Sequence, residues 1–274
     1  MFRTRLLSGI VLVIIIAIMN ICGGYVMGIV LIPVALQGLF EFYRSVGVTS
    51  TDKGKHGVHE IIGYIGAVVY FIVSYVTDSR RLHMLFLVIV LVFVSMLAVY
   101  VFSFPNINGD TIMKAFYGFM YVPVMLWFIM LTRDLQGGEF LVWLIYISSW
   151  IRDTCAYCSG MLLGKHRLAP ILSPKKSVEG AVGGVIGSAI VAALYIYFVN
   201  NYSNMSINPI HAMIICSLGA VVSQIGDLSA SAFKRNNDIK DYGKIIPGHG
   251  GILDRFDSVI FTAPMIYFLA ALLS

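Results

Sequence analysis

Nine apolar runs, at about 6–19, 23–40, 61–77, 82–104, 115–132, 139–160, 180–199, 209–230 and 258–273, constrain this chain more than any other feature. Most of them approach the roughly 20 residues that carry an α-helix across a bilayer. Membrane strands would instead alternate in hydrophobicity over segments of about ten residues, and the runs are continuous. Hydrophobic residues make up 58% of the chain and charged residues 12%, against roughly a quarter charged in an ordinary soluble domain. The sequence therefore reads as an all-α polytopic integral membrane protein with eight or nine transmembrane helices.

Arg3 and Arg5 precede the first run, and Ala17 near its end and Cys22 after it are small, as residues of a removable leader would be. Apolar character resumes directly after residues 20–24, so the run reads as half of a first helical hairpin. The four cysteines, Cys22, Cys155, Cys158 and Cys216, lie in or beside predicted spans and imply no disulfide framework. Cys155 and Cys158 form a lone C-x-x-C without a second pair, which suits a packed helix face better than zinc.

Lys and Arg accumulate on the cytoplasmic side of membrane proteins. With the N-terminus inside, Arg3, Arg5, Arg44, Lys53, Lys55, Lys114, Lys165, Arg167, Lys175, Lys176, Lys234, Arg235, Lys240, Lys244 and Arg255 fall inside, while Arg80, Arg81 and Arg133 fall outside. The formal charge of +5 is then an array beside one anionic leaflet, not the diffuse basic surface that binds nucleic acid. Topology alone explains such an array, so charge by itself does not indicate an enzyme.

Residues 1–138 offer little chemistry and read as scaffold helices; their soluble stretch, Thr49–Glu60, with His56 and His59, reads as a solvated loop. Residues 139–274 carry the chemistry, with cytoplasmic loops at 164–180 and 231–257. Arg152 and Asp153 lie within the sixth run, where ionisable groups are costly and suggest function. Asp153, Tyr157, Gly160 and Gly164 recur on one helix face, which is either a packing seam or the wall of a polar cavity. Asp153 either pairs with Arg152 or a neighbouring helix, or acts on a ligand. In the loop that follows, Ser173 and Ser177 suit helix capping and Pro174 a first helical turn. Lys175 and Lys176 would then stand beside exposed helix amides, a combination that attracts anions. Gly160-x-x-x-Gly164-Lys165 is one residue short of a phosphate-binding P-loop and lacks its Ser or Thr.

Farther on, Gly219, Ser223, Gly226, Asp227 and Ala230 form a small-residue face that brings Asp227 against neighbouring backbone. Asp254 and Asp257 are three apart and face the same way on a helix. With Asp227 they could supply oxygen ligands to Mg²⁺, which binds few carboxylates and leaves room for substrate phosphates. Glycines 248, 250 and 251 let backbone approach a ligand closely.

Ser231-x-Phe233-Lys234-Arg235, Lys240-Asp241-x-Gly243, Ile246-Pro247-x-His249-Gly250-Gly251 and Asp254-Arg255-x-Asp257 resemble the signature of the CTP:phosphatidate cytidylyltransferase (CDP-diacylglycerol synthase) family at every fixed position. Asp153-x-x-Ala156-Tyr157-x-x-Gly160, Gly164-Lys165 and Ser173-Pro174-Lys175-Lys176-Ser177-x-Glu179-Gly180 are similar to its upstream motif. The motifs cover about residues 150–260. The resemblance implies attack of a phosphatidic acid oxygen on the α-phosphorus of CTP, releasing pyrophosphate, at the cytoplasmic face of a bacterial cell membrane. It implies Mg²⁺ at Asp227 and Asp254, with Asp257 close behind, and leaves a second cation and a homodimer open. Lys175, Lys176, Lys234 and Arg235 are the implied phosphate contacts; Lys240, Asp241 and His249 the positioning groups. Arg255 either meets phosphate or pairs with Asp241 or Asp257, and His249 either positions substrate or caps its own turn. Asp153, Tyr157, Ser173, Ser177, Glu179, Gly250 and Gly251 complete the implied substrate site. Membrane lipids surround it, and no nucleic acid is expected. A transporter, a scaffold or inactive relative, which would have lost Asp227, Asp254 or Lys176, and a CTP-dependent lipid kinase are the competing readings.

Overall fold

Helices occupy the apolar runs in the structure, a computed structural model that describes residues 2–49, 56–76, 80–203 and 205–273. In chain order they begin with α1 (Phe2–Cys22), α2 (Gly24–Ser45), α3 (Val58–Val76) and α4 (Arg81–Ser103). A long helical segment follows, made of α5 (Gly109–Phe119), a π-helical turn (Met120–Val124) and α6 (Met125–Arg133). Pro123 sits in that turn, where its missing N–H costs less than in a regular helix interior. The sixth apolar run is divided into α7 (Gly138–Leu141), α8 (Trp143–Tyr146), a second π turn (Ile147–Ile151) and α9 (Arg152–Leu163). In it Ser148 and Ser149 donate back to the carbonyls of Leu144 and Ile145 at 2.7 and 2.8 Å, a bond that bends helices.

Three long helices complete the chain: α10 (Val178–Tyr202), α11 (Pro209–Asn236) and α12 (Leu253–Leu273). Seven helical segments among the described residues are long and apolar enough to cross a membrane, and Leu6–Cys22 is a shorter apolar helix. Their lipid-type surface is direct: Phe86, Leu91 and Val94 of α4 are each more than half exposed. The protein is an all-α polytopic membrane protein. Lys53, Lys55 and the side chains of Arg3 and Arg5 lie outside the described residues.

Two readings of the loops are corrected. Residues 167–177 form an antiparallel hairpin of β1 (Arg167–Ala169) and β2 (Ser173–Ser177), in which Arg167 pairs with Ser177 and Ala169 with Ser173. Ser173, Pro174, Lys175 and Lys176 therefore belong to a strand and not to a helix start; only Ser177 caps a helix. Pro174 is tolerated because a strand of a two-stranded hairpin has a side that needs no ladder donor. Likewise, the stretch read as a solvated loop, Thr49–Glu60, is not all solvated, because its end belongs to α3. His59 and Glu60 are buried, and Glu60 accepts from the Gly57 amide at 3.0 Å, so it closes the start of α3.

The helices gather into two compact units. The first contains the chain through Ser8, Gly24–Trp127 and Ile239–Asp254; the second contains Gly9–Gly23, Phe128–Asp238 and the chain from Arg255 onward. In the first, Trp127 is fully buried with Tyr70, Phe71 and Tyr75 edge-on to it at 6.2, 4.9 and 6.0 Å. In the second, α9, α10 and α11 pack side by side through small residues. A methyl group on Gly180 would lie 2.8 Å from the Ala156 carbonyl, and one on Gly184 3.0 Å from the carbonyl of Arg152.

Candidate active site

Within the second unit, the close approach of α9 and α10 leaves a cavity of about 390 Å³ beneath the hairpin. Asp153, Ala156, Tyr157 and Gly160 of α9 form one wall, Ser173, Lys175 and Lys176 of β2 a second, and Gly180, Ala181 and Gln224 the floor beside Arg152. The α9 face read from the sequence is thus a packing seam and a cavity wall at once. Gly160 and Gly180 supply the seam, while Asp153 and Tyr157 turn to the open side. Ser177 fixes the start of α10 by accepting from the Gly180 amide at 3.1 Å, a cap of the kind worth about 1 kcal/mol.

Charges are held tightly around this cavity. Lys176 Nζ donates to Asp227 Oδ2. Arg152 is 2% exposed. Its guanidinium meets Asp153 Oδ1 at 2.7 Å and donates to Ser223 Oγ at 2.7 Å and Ser258 Oγ at 3.5 Å. Asp257 accepts from the Ser258 amide at 2.6 Å. Gly226 admits this neighbour, since a methyl group there would lie 3.0 Å from the Asp257 carbonyl. The charges of Asp153, Asp227 and Asp257 act on one another; Lys234 acts on Asp257, and Lys176 and Arg255 act on Asp153.

The first unit holds the other half of the signature. Ile246 N donates to Gly250 O and His249 N to Ile246 O, both at 2.9 Å, closing a tight turn. Gly248 and Gly250 take φ values of 77° and 87°, a region that favours glycine. Asp254 Oδ2 accepts from the amides of Tyr242 and Gly251 at 2.8 and 2.9 Å. His249 Nδ1 lies 2.7 Å from Ser8 Oγ.

Residues 3–273 match the model of the family described as "Cytidylyltransferase family". The chain belongs to the cytidylyltransferase family. It is 31% identical to a phosphatidate cytidylyltransferase of Bacillus subtilis over 273 residues, 99% of this chain and 98% of that one. Over 149 residues it is 39% identical to the phosphatidate cytidylyltransferase of Staphylococcus haemolyticus and 41% identical to that of Staphylococcus aureus. Those stretches span 54% of this chain and 55% of each staphylococcal relative, about half its length. Membership makes an enzyme the reading and sets the transporter aside.

The cytidylyltransferase motifs divide between the units. Asp153, Tyr157, Ser173, Lys175, Lys176 and Ser177 meet at the cavity, and Asp227 joins them through Lys176. Glu179 turns away from the cavity lining, accepting from the amides of Lys165 and His166 at 3.0 and 3.2 Å. Lys234 and Arg235 occupy the last turn of α11, where positive charge suits the helix dipole. Lys240 and Asp241 are exposed in the loop of the first unit, with His249, Gly250 and Gly251 farther along it.

Among the described residues, no three His, Cys, Asp or Glu side chains form a group that could hold a metal ion unaided. Mg²⁺ does not need such a group, because it takes one or two carboxylates and completes its shell with phosphates and water. Asp227 and Asp257, on adjacent turns of α11 and α12 and acting on one another, fit that donor chemistry. Sequence reasoning left Arg152 and Gln224 out of the site. Arg152 carries a signal in the sequence, a cation inside an apolar run beside Asp153. Gln224 carries none.

Proposed function

We propose that this protein transfers the cytidylyl group of CTP to phosphatidic acid, forming CDP-diacylglycerol and pyrophosphate, with the help of Mg²⁺ and at the cytoplasmic face of the membrane. The observation that carries the proposal is the cavity itself. Lys175 and Lys176 of β2 converge there with Arg152 and Asp153 of α9 in an otherwise apolar chain. The relatives named phosphatidate cytidylyltransferase supply the substrate class. The inward excess of Lys and Arg supports the face, since CTP and the lipid phosphate meet at the inner interface.

A phosphatidate oxygen forms a new bond to the α-phosphorus as the bond to the β-phosphate oxygen breaks, and pyrophosphate leaves with the electron pair. The lipid phosphate has a second pKa of about 6, so it arrives largely anionic and needs no strong base. Bringing two anions together is the harder part. Lys175 and Lys176 on the strand edge lower that repulsion, and Arg152 keeps Asp153 oriented at the wall. Mg²⁺, when bound, would neutralise charge on the phosphates and the leaving group. The resemblance assigns it to Asp227 and Asp254, with Asp257 next. Tyr157 and Met161 are exposed on α9 at the cavity rim and offer an apolar side to the lipid.

The test is to incubate the purified protein with phosphatidic acid, labelled CTP and Mg²⁺ in detergent micelles. CDP-diacylglycerol should form, and a chelator should abolish it until Mg²⁺ is restored. Release of CDP with a newly phosphorylated lipid would instead mark a lipid kinase and overturn the proposal.

A further inference from the structure

Glu41 lies on α2, in the half of the chain that offers no chemistry in sequence, and is 1% exposed. A buried carboxylate is costly unless donors surround it. The donors here come from far along the chain. Glu41 Oε1 accepts from the Ile252 amide at 3.1 Å and Oε2 from the Leu253 amide at 2.8 Å, with Gln37 Nε2 donating to Oε1 at 3.1 Å. Ile252 precedes α12 and Leu253 begins it, where backbone N–H groups have no partner inside the helix.

Two glycines make room for this carboxylate. A methyl group on either Gly243 or Gly251 would overlap Glu41. Neither glycine is among those with positive φ, unlike Gly248 and Gly250, so space and not backbone conformation requires them. The group that approaches Gly251 most closely is therefore Glu41. Gly251 in turn donates its amide to Asp254 Oδ2. One turn along α2, Arg44 Nη2 donates to the Tyr242 carbonyl at 2.6 Å, and the Tyr242 amide is the other donor to Asp254. Glu41 and Arg44 stand on one face of α2: Arg44 holds Tyr242, one donor to Asp254, and Glu41 holds Ile252 and Leu253 directly after Gly251, the other donor.

We propose that Glu41 is a positioning residue for cytidylyl transfer: through Ile252, Leu253 and Gly251 it sets the glycine-rich loop and the carboxylate of Asp254. This rests on the function proposed above.

The test uses the full-length protein as wild type, Glu41→Gln, Glu41→Ala, Gly251→Ala and the double variant Glu41→Ala/Gly251→Ala. Glu41→Gln keeps the volume but turns one acceptor into an NH₂ group facing an N–H. Its kcat should fall by roughly tenfold or more, as misplacement of a reacting constellation does. KM for both substrates should stay within about twofold, and the fall in kcat should far exceed any loss of folded protein read from the thermal midpoint. Backbone amides of residues 240–254 should exchange hydrogen faster than in wild type. Gly251→Ala should be similarly impaired, and the double variant should exceed it by about threefold or more, because removing the carboxylate clears the space the methyl group needs. Wild-type kcat and unchanged loop exchange in Glu41→Gln would overturn the proposal, as would a Gly251→Ala defect indifferent to residue 41. A wild type that makes no CDP-diacylglycerol would sink the functional reading instead, and the exchange measurement would then decide alone whether Glu41 holds the loop.

Discussion

The Lys176 ammonium donates to the Asp227 carboxylate, joining β2 to α11 through side chains that are 29% and 21% exposed. A pair this open to solvent adds only about 1 kcal/mol to stability. On the proposed function, its main value is in charge stabilisation at the site. Lys176→Met should therefore lower the thermal midpoint little while reducing CDP-diacylglycerol formation by about 100-fold or more, the scale of losing one charge-stabilising group. Initial rates and thermal unfolding in the same detergent check this. A loss of activity no greater than the loss of folded protein would make the pair purely structural.

The amides of Tyr242 and Gly251 reach Asp254 through the same oxygen, Oδ2. Asp254→Asn retains an oxygen to accept from Tyr242 and Gly251 while removing the charge. The loop should keep its wild-type hydrogen exchange, yet activity should fall by at least about 100-fold if the charge serves a metal or phosphate step. Full activity in this variant would remove Asp254 from the metal assignment and leave it as a loop anchor.

Arg152 faces Asp153, Ser223 and Ser258 from a site that is 2% exposed. Arg152→Met would leave the carboxylate and two hydroxyls without their shared donor. Because the Asp153 side chain is 48% exposed, water can reach it, and the cost should be about 1–3 kcal/mol, below that of a fully buried broken pair. Thermal unfolding should show the loss, and Arg152→Met/Asp153→Asn should recover part of it. An additive loss in the double variant would contradict the pairing.

The span pattern was legible because hydrophobic length is local: a run of about 20 apolar residues needs no tertiary partner to be a helix. The signature residues were legible as chemistry for the same reason, since carboxylates and lysines are conspicuous in an apolar chain. Their partners were less so. Ser173 and Lys175 looked like a helix start because capping residues and a proline suit one, but the cross-strand pairing of Arg167 with Ser177 outweighed local propensity. Glu41 was hidden by distance along the chain. It ends an apolar run as a topological charge would, and nothing near it announces amides 211 and 212 residues away. Gly251 reads in the sequence as a place where backbone approaches a ligand, and in the packing the group against it is the Glu41 carboxylate.

The cavity depends on how closely α9 and α10 come together, and Gly180 is where that spacing is set. A methyl group there would lie 2.8 Å from the Ala156 carbonyl, 2.9 Å from Ser177 Oγ and 3.2 Å from Gly160 Cα. Two of those neighbours are backbone and cannot rotate aside, so α9 must shift by a few tenths of an ångström or the α10 cap must open. Overpacking of this kind costs about 1–3 kcal/mol. The shift also moves Asp153 and Tyr157 away from Lys175 and Lys176 across the cavity. Gly180→Ala should thus lower the thermal midpoint by forcing α9 and α10 apart and raise KM for at least one substrate, whereas Ser177→Ala should lower stability by about 1 kcal/mol through the lost cap without moving the helices. Thermal unfolding and steady-state rates measured side by side separate the two, and a Gly180→Ala protein with wild-type KM values would show that the seam does not shape the site.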